Sequence, residues 1–217
     1  MLVISDNICI IVHAGGTFGA VYGDIFNTEN LFGSGGGGAT TSYGAGGGII
    51  ELDITDTLIV EGTIEANGQA GYSTSVGGGS GGFLVARTRS FEGSGSLTVK
   101  GGAAGSASAG AGGGGRMAVY YQYADYWFGS LDARGGSGVY LGGAGTIYLK
   151  DTKSGAYNET LIIDNFDQMR ATEKVTDPTY AKYDGSQTMI ADGNLTNMNT
   201  IRLVRGGSLI IDRDLDQ

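Results

Sequence analysis

The chain has 217 residues, 41% of them hydrophobic, with 43 glycines against a single proline. That hydrophobic share is too high for a disordered chain, and the glycine-to-proline balance excludes collagen, which needs glycine at every third place beside abundant proline. A formal net charge of −9 speaks against nucleic acid and against an anionic membrane surface, and no run reaches the roughly 18 apolar residues that insertion into a bilayer requires.

Taken in chain order, the first predicted element is a strand within residues 1–16, with Ile8, Ile10, Val12 and Ala14 on one face and Gly15-Gly16 at its end. Its start does not read as a secretory leader, since a basic stretch is missing and Asp6 and Asn7 interrupt the apolar run. Cys9, the single cysteine, lies inside this apolar run and is expected to be a buried, inert thiol. An aromatic loop follows over 17–32, with Phe18, Tyr22, Phe26 and Phe32.

From residue 48 the sequence repeats. Gly48-Ile49-Ile50 returns as Gly82-Phe83-Leu84, Gly115-Arg116-Met117 and Gly145-Thr146-Ile147, at spacings of 34, 33 and 30. A second marker keeps step: Ile64-Glu65-Ala66-Asn67-Gly68, Leu97-Thr98-Val99-Lys100-Gly101 and Leu131-Asp132-Ala133-Arg134-Gly135, then Leu161-Ile162-Ile163-Asp164-Asn165 with asparagine in the place of glycine. Within each unit apolar residues alternate with period 2, as in Ile50, Leu52 and Ile54 or Met117, Val119 and Tyr121, which is the signature of a strand with one buried face. Leu58 and Phe91 mark a third short strand in some units.

One such unit cannot bury its apolar face alone, but stacked units share a core. The expected fold is therefore an all-β, right-handed parallel β-solenoid with coils of about 30–34 residues. Its ladders include Ile64, Leu97, Leu131 and Leu161. Glycine-rich segments at 33–48, 77–82, 101–115 and 135–145 recur at one corner. Glycine there allows positive φ and close approach of neighbouring loops, so these segments are expected to pack as extended or polyproline-II-like chains. The whole of 1–217 reads as one solenoid domain: an irregular first coil over 1–47, about four regular coils over 48–165, and a polar insertion with a terminal coil over 166–217. The insertion holds Pro178, and the terminal coil is the pair Ile201-Arg202-Leu203 and Leu209-Ile210-Ile211.

The run Tyr22-Gly23-Asp24-Ile25-Phe26-Asn27, then Leu31-Phe32-Gly33-Ser34 with four glycines, is distinctive, as is the later succession from Gly77-Gly78-Gly79-Ser80-Gly81-Gly82 to Thr146-Ile147-Tyr148-Leu149-Lys150. Over about residues 8–165 these motifs resemble the glycine-rich parallel β-helix repeats of large extracellular surface proteins, chiefly bacterial. The resemblance implies a secreted or cell-surface setting and a structural or adhesive role, and it carries no catalytic residue. The tail from 166 departs from the pattern.

Chemistry finds few residues to work with. His13 is the single histidine and sits in a strand, which defeats hydrolase triads and multi-histidine zinc sites. The acid sets Glu51 with Asp53, Glu61 with Glu65, and Asp212, Asp214 and Asp216 are read as outward-facing charges that protect strand edges. The last three form a weak candidate for calcium, without the glycine and distal glutamate of an EF-hand loop. No other cofactor is expected. Tyr123, Asp125, Tyr126 and Trp127 lie in an aromatic cluster that could stack on a sugar ring, against the plainer reading that its rings cap the core. Asn158 and Asn194 head glycosylation sequons.

The expected function is a non-enzymatic extracellular solenoid. It serves as a fibre subunit or as a segment of a longer surface protein, because strand-like apolar runs near both ends, 2–12 and 203–211, lack a covering helix. The expected partners are copies of itself or neighbouring repeats, with carbohydrate binding as the alternative and polysaccharide degradation behind it.

Overall fold

The computed structural model describes residues 13–14, 17–18, 32–38, 43–153, 158–168, 188–191 and 198–212. Cys9, Tyr22, Phe26, Pro178, Asn194, Asp214 and Asp216 lie outside the described residues, as does most of the first predicted strand. No helix occurs among those described. The strands are β1 (His13–Ala14), β2 (Thr17–Phe18), β3 (Ile49–Ile59), β4 (Thr63–Glu65), β5 (Phe83–Glu92), β6 (Ser96–Thr98), β7 (Arg116–Tyr121), β8 (Ser130–Asp132), β9 (Thr146–Asp151), β10 (Asn158–Asp164), β11 (Thr188–Ala191), β12 (Thr200–Val204) and β13 (Leu209–Asp212).

Two stacks of parallel strands make the fold a β-solenoid. β3, β5, β7 and β9 lie side by side and in parallel, and β4, β6 and β8 form a second parallel sheet. Both repeated markers fall in register: Ile49, Phe83, Arg116 and Thr146 are Cα partners in one sheet, and Ile64, Leu97 and Leu131 are partners in the other. Leu58 and Phe91 also pair, but they belong to the far ends of β3 and β5, beyond a bulge between Ile54 and Thr57, rather than to separate strands. The bulge shifts the register without ending either strand.

The fourth regular coil expected at 146–165 does not form. After β9 the chain doubles back, and β10 pairs with β9 antiparallel, setting Leu161 against Tyr148. Leu161 therefore leaves the expected ladder and joins the larger sheet, whose order is β12-β10-β9-β7-β5-β3. β12 pairs parallel to β10, so the two outer strands of this sheet run in opposite directions. About three parallel coils remain, 49–82, 83–115 and 116–145.

The core fills the space between the two sheets. Leu84, Ala86, Met117, Val119 and Ile147 from the larger sheet meet Leu97 from the smaller one, with Val99 and Ala133 just beyond β6 and β8. Leu97 is fully buried between Ile64 and Leu131. Leu97→Ala is expected to cost about 3 kcal/mol through lost burial and a residual cavity, read as a lowered denaturation midpoint with an unchanged slope.

The larger sheet is also covered on its other face, where Phe83, Val85, Ala118 and Tyr148 are buried with Ile49, Tyr120 and Met198 packed against them. The unbroken apolar run Phe83-Leu84-Val85-Ala86 fits a strand buried on both sides. Burial, with Glu159 close by, drives the Tyr148 hydroxyl well above the usual phenol range.

Candidate functional site

The glycine-rich segments form a third wall, ordered by hydrogen bonds. Six consecutive donors show its geometry. Gly77 and Ser80 donate to Gly37 and Ser34, Gly78 and Gly81 to Gly110 and Gly113, and Gly79 and Gly82 to Gln69 and Ala66, at 2.7–3.0 Å. Each amide thus turns to a different neighbour from the next, and the direction recurs every third residue. That period is the three-residue turn of a polyproline-II chain, which has no hydrogen bonds of its own and must find them laterally.

Outgoing segments (66–71, 99–105, 133–137) alternate with returning ones (44–48, 76–82, 110–115, 142–145). Gly102 shows the pattern, donating to Gly79 of one return and accepting from Gly112 of the next. The expectation of positive φ in this wall is not met: among the described glycines φ is positive at Gly93 and Gly206, neither of which lies in it. Close approach is what the glycines serve. A Cβ on Gly112 would stand 2.0 Å from Gly79 O, and one on Gly79 2.0 Å from Ala45 O.

The wall is closed at its C-terminal end by side chains. In the inner coils Gly68 and Gly101 donate to backbone carbonyls of the following coil, Lys100 O and Arg134 O. Gly135 has no such coil and donates to Asn165 Oδ1 at 3.0 Å. Asn165 is fully buried, and its Nδ2 donates to Gln168 O at 3.2 Å. The Gln168 amide in turn reaches Gly135 O and Gly136 O at 3.2 and 3.3 Å, and Thr188 Oγ1 donates to Ala144 O at 2.7 Å.

An ionic clasp holds this closure. Phe166, at φ 52°, lies between the guanidinium groups of Arg134 (4.3 Å) and Arg205 (3.7 Å), which pair with Asp132 and Asp164 respectively. Asp164 Oδ1 also accepts from Phe166 N at 3.0 Å, which helps to hold the unfavourable left-handed backbone. The sequence reading, which expected an end without a cap, missed this device; asparagine in the glycine position was its one visible sign.

The predicted aromatic platform is divided. Trp127 stacks on the buried Phe91 with ring centroids 4.0 Å apart, so one face of the indole belongs to the core. Tyr123 is half-buried, with Lys153 Nζ 4.2 Å and Arg89 Cζ 5.9 Å from its ring centre. Asp125 and Tyr126 are exposed, Tyr126 at 66%. An open groove of about 310 Å³, lined by Asp53, Ile54, Thr55, Arg87, Thr88, Arg89 and Gln122, adjoins Tyr123 through Arg89 and does not include Asp125 or Tyr126. Trp127→Ala is expected to destabilise the fold by about 2–3 kcal/mol, because stacking and burial are both lost. Thermal denaturation checks this, and an unchanged midpoint would place the indole outside the core.

The acid pairs are placed as follows. Glu51 and Asp53 share Arg87, at 2.8 and 3.2 Å, and the hydrogen bond to Glu51 raises the already high pKa of that guanidinium. Glu61 accepts from Ser94 Oγ at 2.7 Å and Glu65 from Asn67 Nδ2 at 3.0 Å. Asp212 ends β13, Asn158 is exposed at the start of β10, and His13 lies in β1. Among the described residues no group of three His, Cys, Asp or Glu side chains is placed to hold a metal ion.

Fold and wall together define the class of the protein: a β-solenoid whose coils are joined by a hydrogen-bonded glycine layer. Comparison with protein-family models, with curated proteins and with solved structures finds no match.

Proposed function

We propose that this chain is a non-enzymatic structural or adhesive solenoid of the cell exterior, working by strand addition at its ends. The observation that carries the reading is β12. Among the described residues it is an outermost strand of the larger sheet, and residues 200–203 along it are all exposed, Ile201 at 41% and Leu203 at 50%. An outer strand offers unpaired backbone groups, and apolar side chains there favour pairing with a second chain. Two copies can join β12 to β12 in antiparallel fashion about a two-fold axis. The extracellular setting rests on the glycine-led repeats and the surface proteins they resemble.

Light scattering across a concentration series tests it. The wild type is expected to dimerise, and the double change Ile201→Lys, Leu203→Lys to remain monomeric. A wild type that stays a monodisperse monomer at high concentration overturns the reading.

Carbohydrate binding is a second reading, supported by the exposed Tyr126 and Asp125 and by a separate groove near Tyr123 that is rich in hydrogen-bonding groups. Tyr126→Ala is the variant to use on a glycan array, since Trp127 also serves the core.

A further inference from the structure

The corner where each coil passes from the larger sheet to the smaller one leaves large apolar side chains in the open. Ile59 is 61% exposed, Tyr126 66% and Phe128 76%. They are distant in sequence, yet backbone register gathers them. Ile59 is the Cα partner of Glu92. Gly93 in turn bridges Trp127 in parallel, donating to Tyr126 O at 3.0 Å and accepting from Phe128 N at 2.9 Å. One residue to either side of that bridge, Glu92 lies beside Tyr126 and Ser94 beside Phe128. Trp127 turns its indole onto Phe91, and its two neighbours stay outside, as alternation along an extended chain requires.

Two carboxylates line the same corner. Ser90 Oγ donates to Glu92 Oε1 and Ser94 Oγ to Glu61 Oε2, each at 2.7 Å. Each carboxylate is thus held through one oxygen and keeps acceptor capacity on the other. The three stretches that build the corner, 59–62, 92–95 and 124–130, contain Glu61, Glu92 and Asp125 and no lysine or arginine.

This combination says what fits. An apolar partner would strip water from the carboxylates without giving them donors. An anionic partner would meet like charge. A pyranose ring has the complementary pair of features. Its C–H face can lie on aromatic rings, whose π-faces carry partial negative charge, and its rim of hydroxyls can donate to carboxylates.

We infer that this corner binds an uncharged pyranose chain, with Tyr126 and Phe128 as the platform and Glu61 and Glu92 as acceptors at its edge. The inference rests on the reading of this chain as a carbohydrate binder, and adds to it the class of sugar and the residue Phe128. The corner is distinct from the groove of Arg87 and Arg89, where an acidic sugar would find its counter-charges.

Calorimetric titration of the full chain tests it, with cellohexaose and chitohexaose as uncharged probes and hexagalacturonate as the acidic one. At least one uncharged probe is expected to bind, with an affinity insensitive to salt. Phe128→Ala is expected to keep the wild-type melting temperature, because the ring lies outside the core, and to weaken binding about tenfold. Glu92→Gln, which retains one acceptor oxygen, should weaken it less and provides a second variant. Failure of both uncharged probes to bind, or unchanged binding by Phe128→Ala, overturns the inference. Preferred binding of hexagalacturonate that is lost with Arg89→Glu would overturn it too, yet leave carbohydrate binding standing at the groove. Self-association abolished by Phe128→Ala, with no sugar bound, would give the corner to a second copy instead.

Discussion

Gly112→Val is expected to abolish productive folding: the chain goes to aggregate, and any soluble fraction unfolds with at least ~4 kcal/mol less stability. The added Cβ would lie 2.0 Å from Gly79 O and 2.4 Å from Gly79 C. Both are backbone atoms, so no side-chain rotation relieves the clash. Relief requires moving the returning segment 110–115 away from its neighbours, and the hydrogen bonds from Gly112 to Gly102 and from Gly136 to Gly112 go with it. Buried amides that lose their acceptors add to the cost.

Two controls separate this from a general intolerance of side chains in glycine-rich sequence. At Gly35 the nearest described atom to a built Cβ is 3.6 Å away, so alanine there should leave the melting temperature within about a degree or two of wild type. Gly82→Ala, whose Cβ would lie 1.9 Å from Gly48 O, should lower it strongly. A set of midpoints in which Gly112→Val resembles Gly35→Ala would show that the wall is slack.

The coil was legible because the constraint that writes it recurs at a nearly constant path length. Gly82, Gly115 and Gly145 each admit the carbonyl of the coil before, and the strands that follow them share one register. Strand direction was not legible. Alternation of apolar and polar residues reads the same forwards and backwards, so Leu161-Ile162-Ile163 fitted a further parallel coil as well as it fits the antiparallel β10. Glycine content, likewise, does not distinguish the need for positive φ from the need for close approach; Gly79 and Gly112 serve the second. In the aromatic corner the sequence could not say which ring turns inward. Trp127 is chosen by Phe91, a partner 36 residues earlier, whereas Tyr126 in the same short loop stays exposed.

The closure at the C-terminal end gives the other large effect. Asn165→Leu removes the acceptor for Gly135 N and the donor to Gln168 O while keeping the same branched skeleton of side-chain heavy atoms. Asn165 is 0% exposed, so water does not readily replace it, and the buried Gly135 amide bears the desolvation cost of an unmade bond, about 1–3 kcal/mol. Loss of the second bond, and of the alignment that lets Gln168 reach the Gly135 and Gly136 carbonyls, brings the expected total to about 3–4 kcal/mol. Amide hydrogen exchange provides the local readout. The Gly135 amide is expected to be protected in the wild type and to exchange much faster in the variant, while Gly101, which donates to Arg134 O within the stack, keeps its protection. Asn165→Asp retains the Oδ1 acceptor but loses the donor and buries a charge, so it should restore protection at Gly135 without restoring full stability. Equal loss of protection at Gly101 and Gly135 would mean that Asn165 supports the fold as a whole; loss confined to Gly135 identifies it as the side chain that stands in for a missing coil.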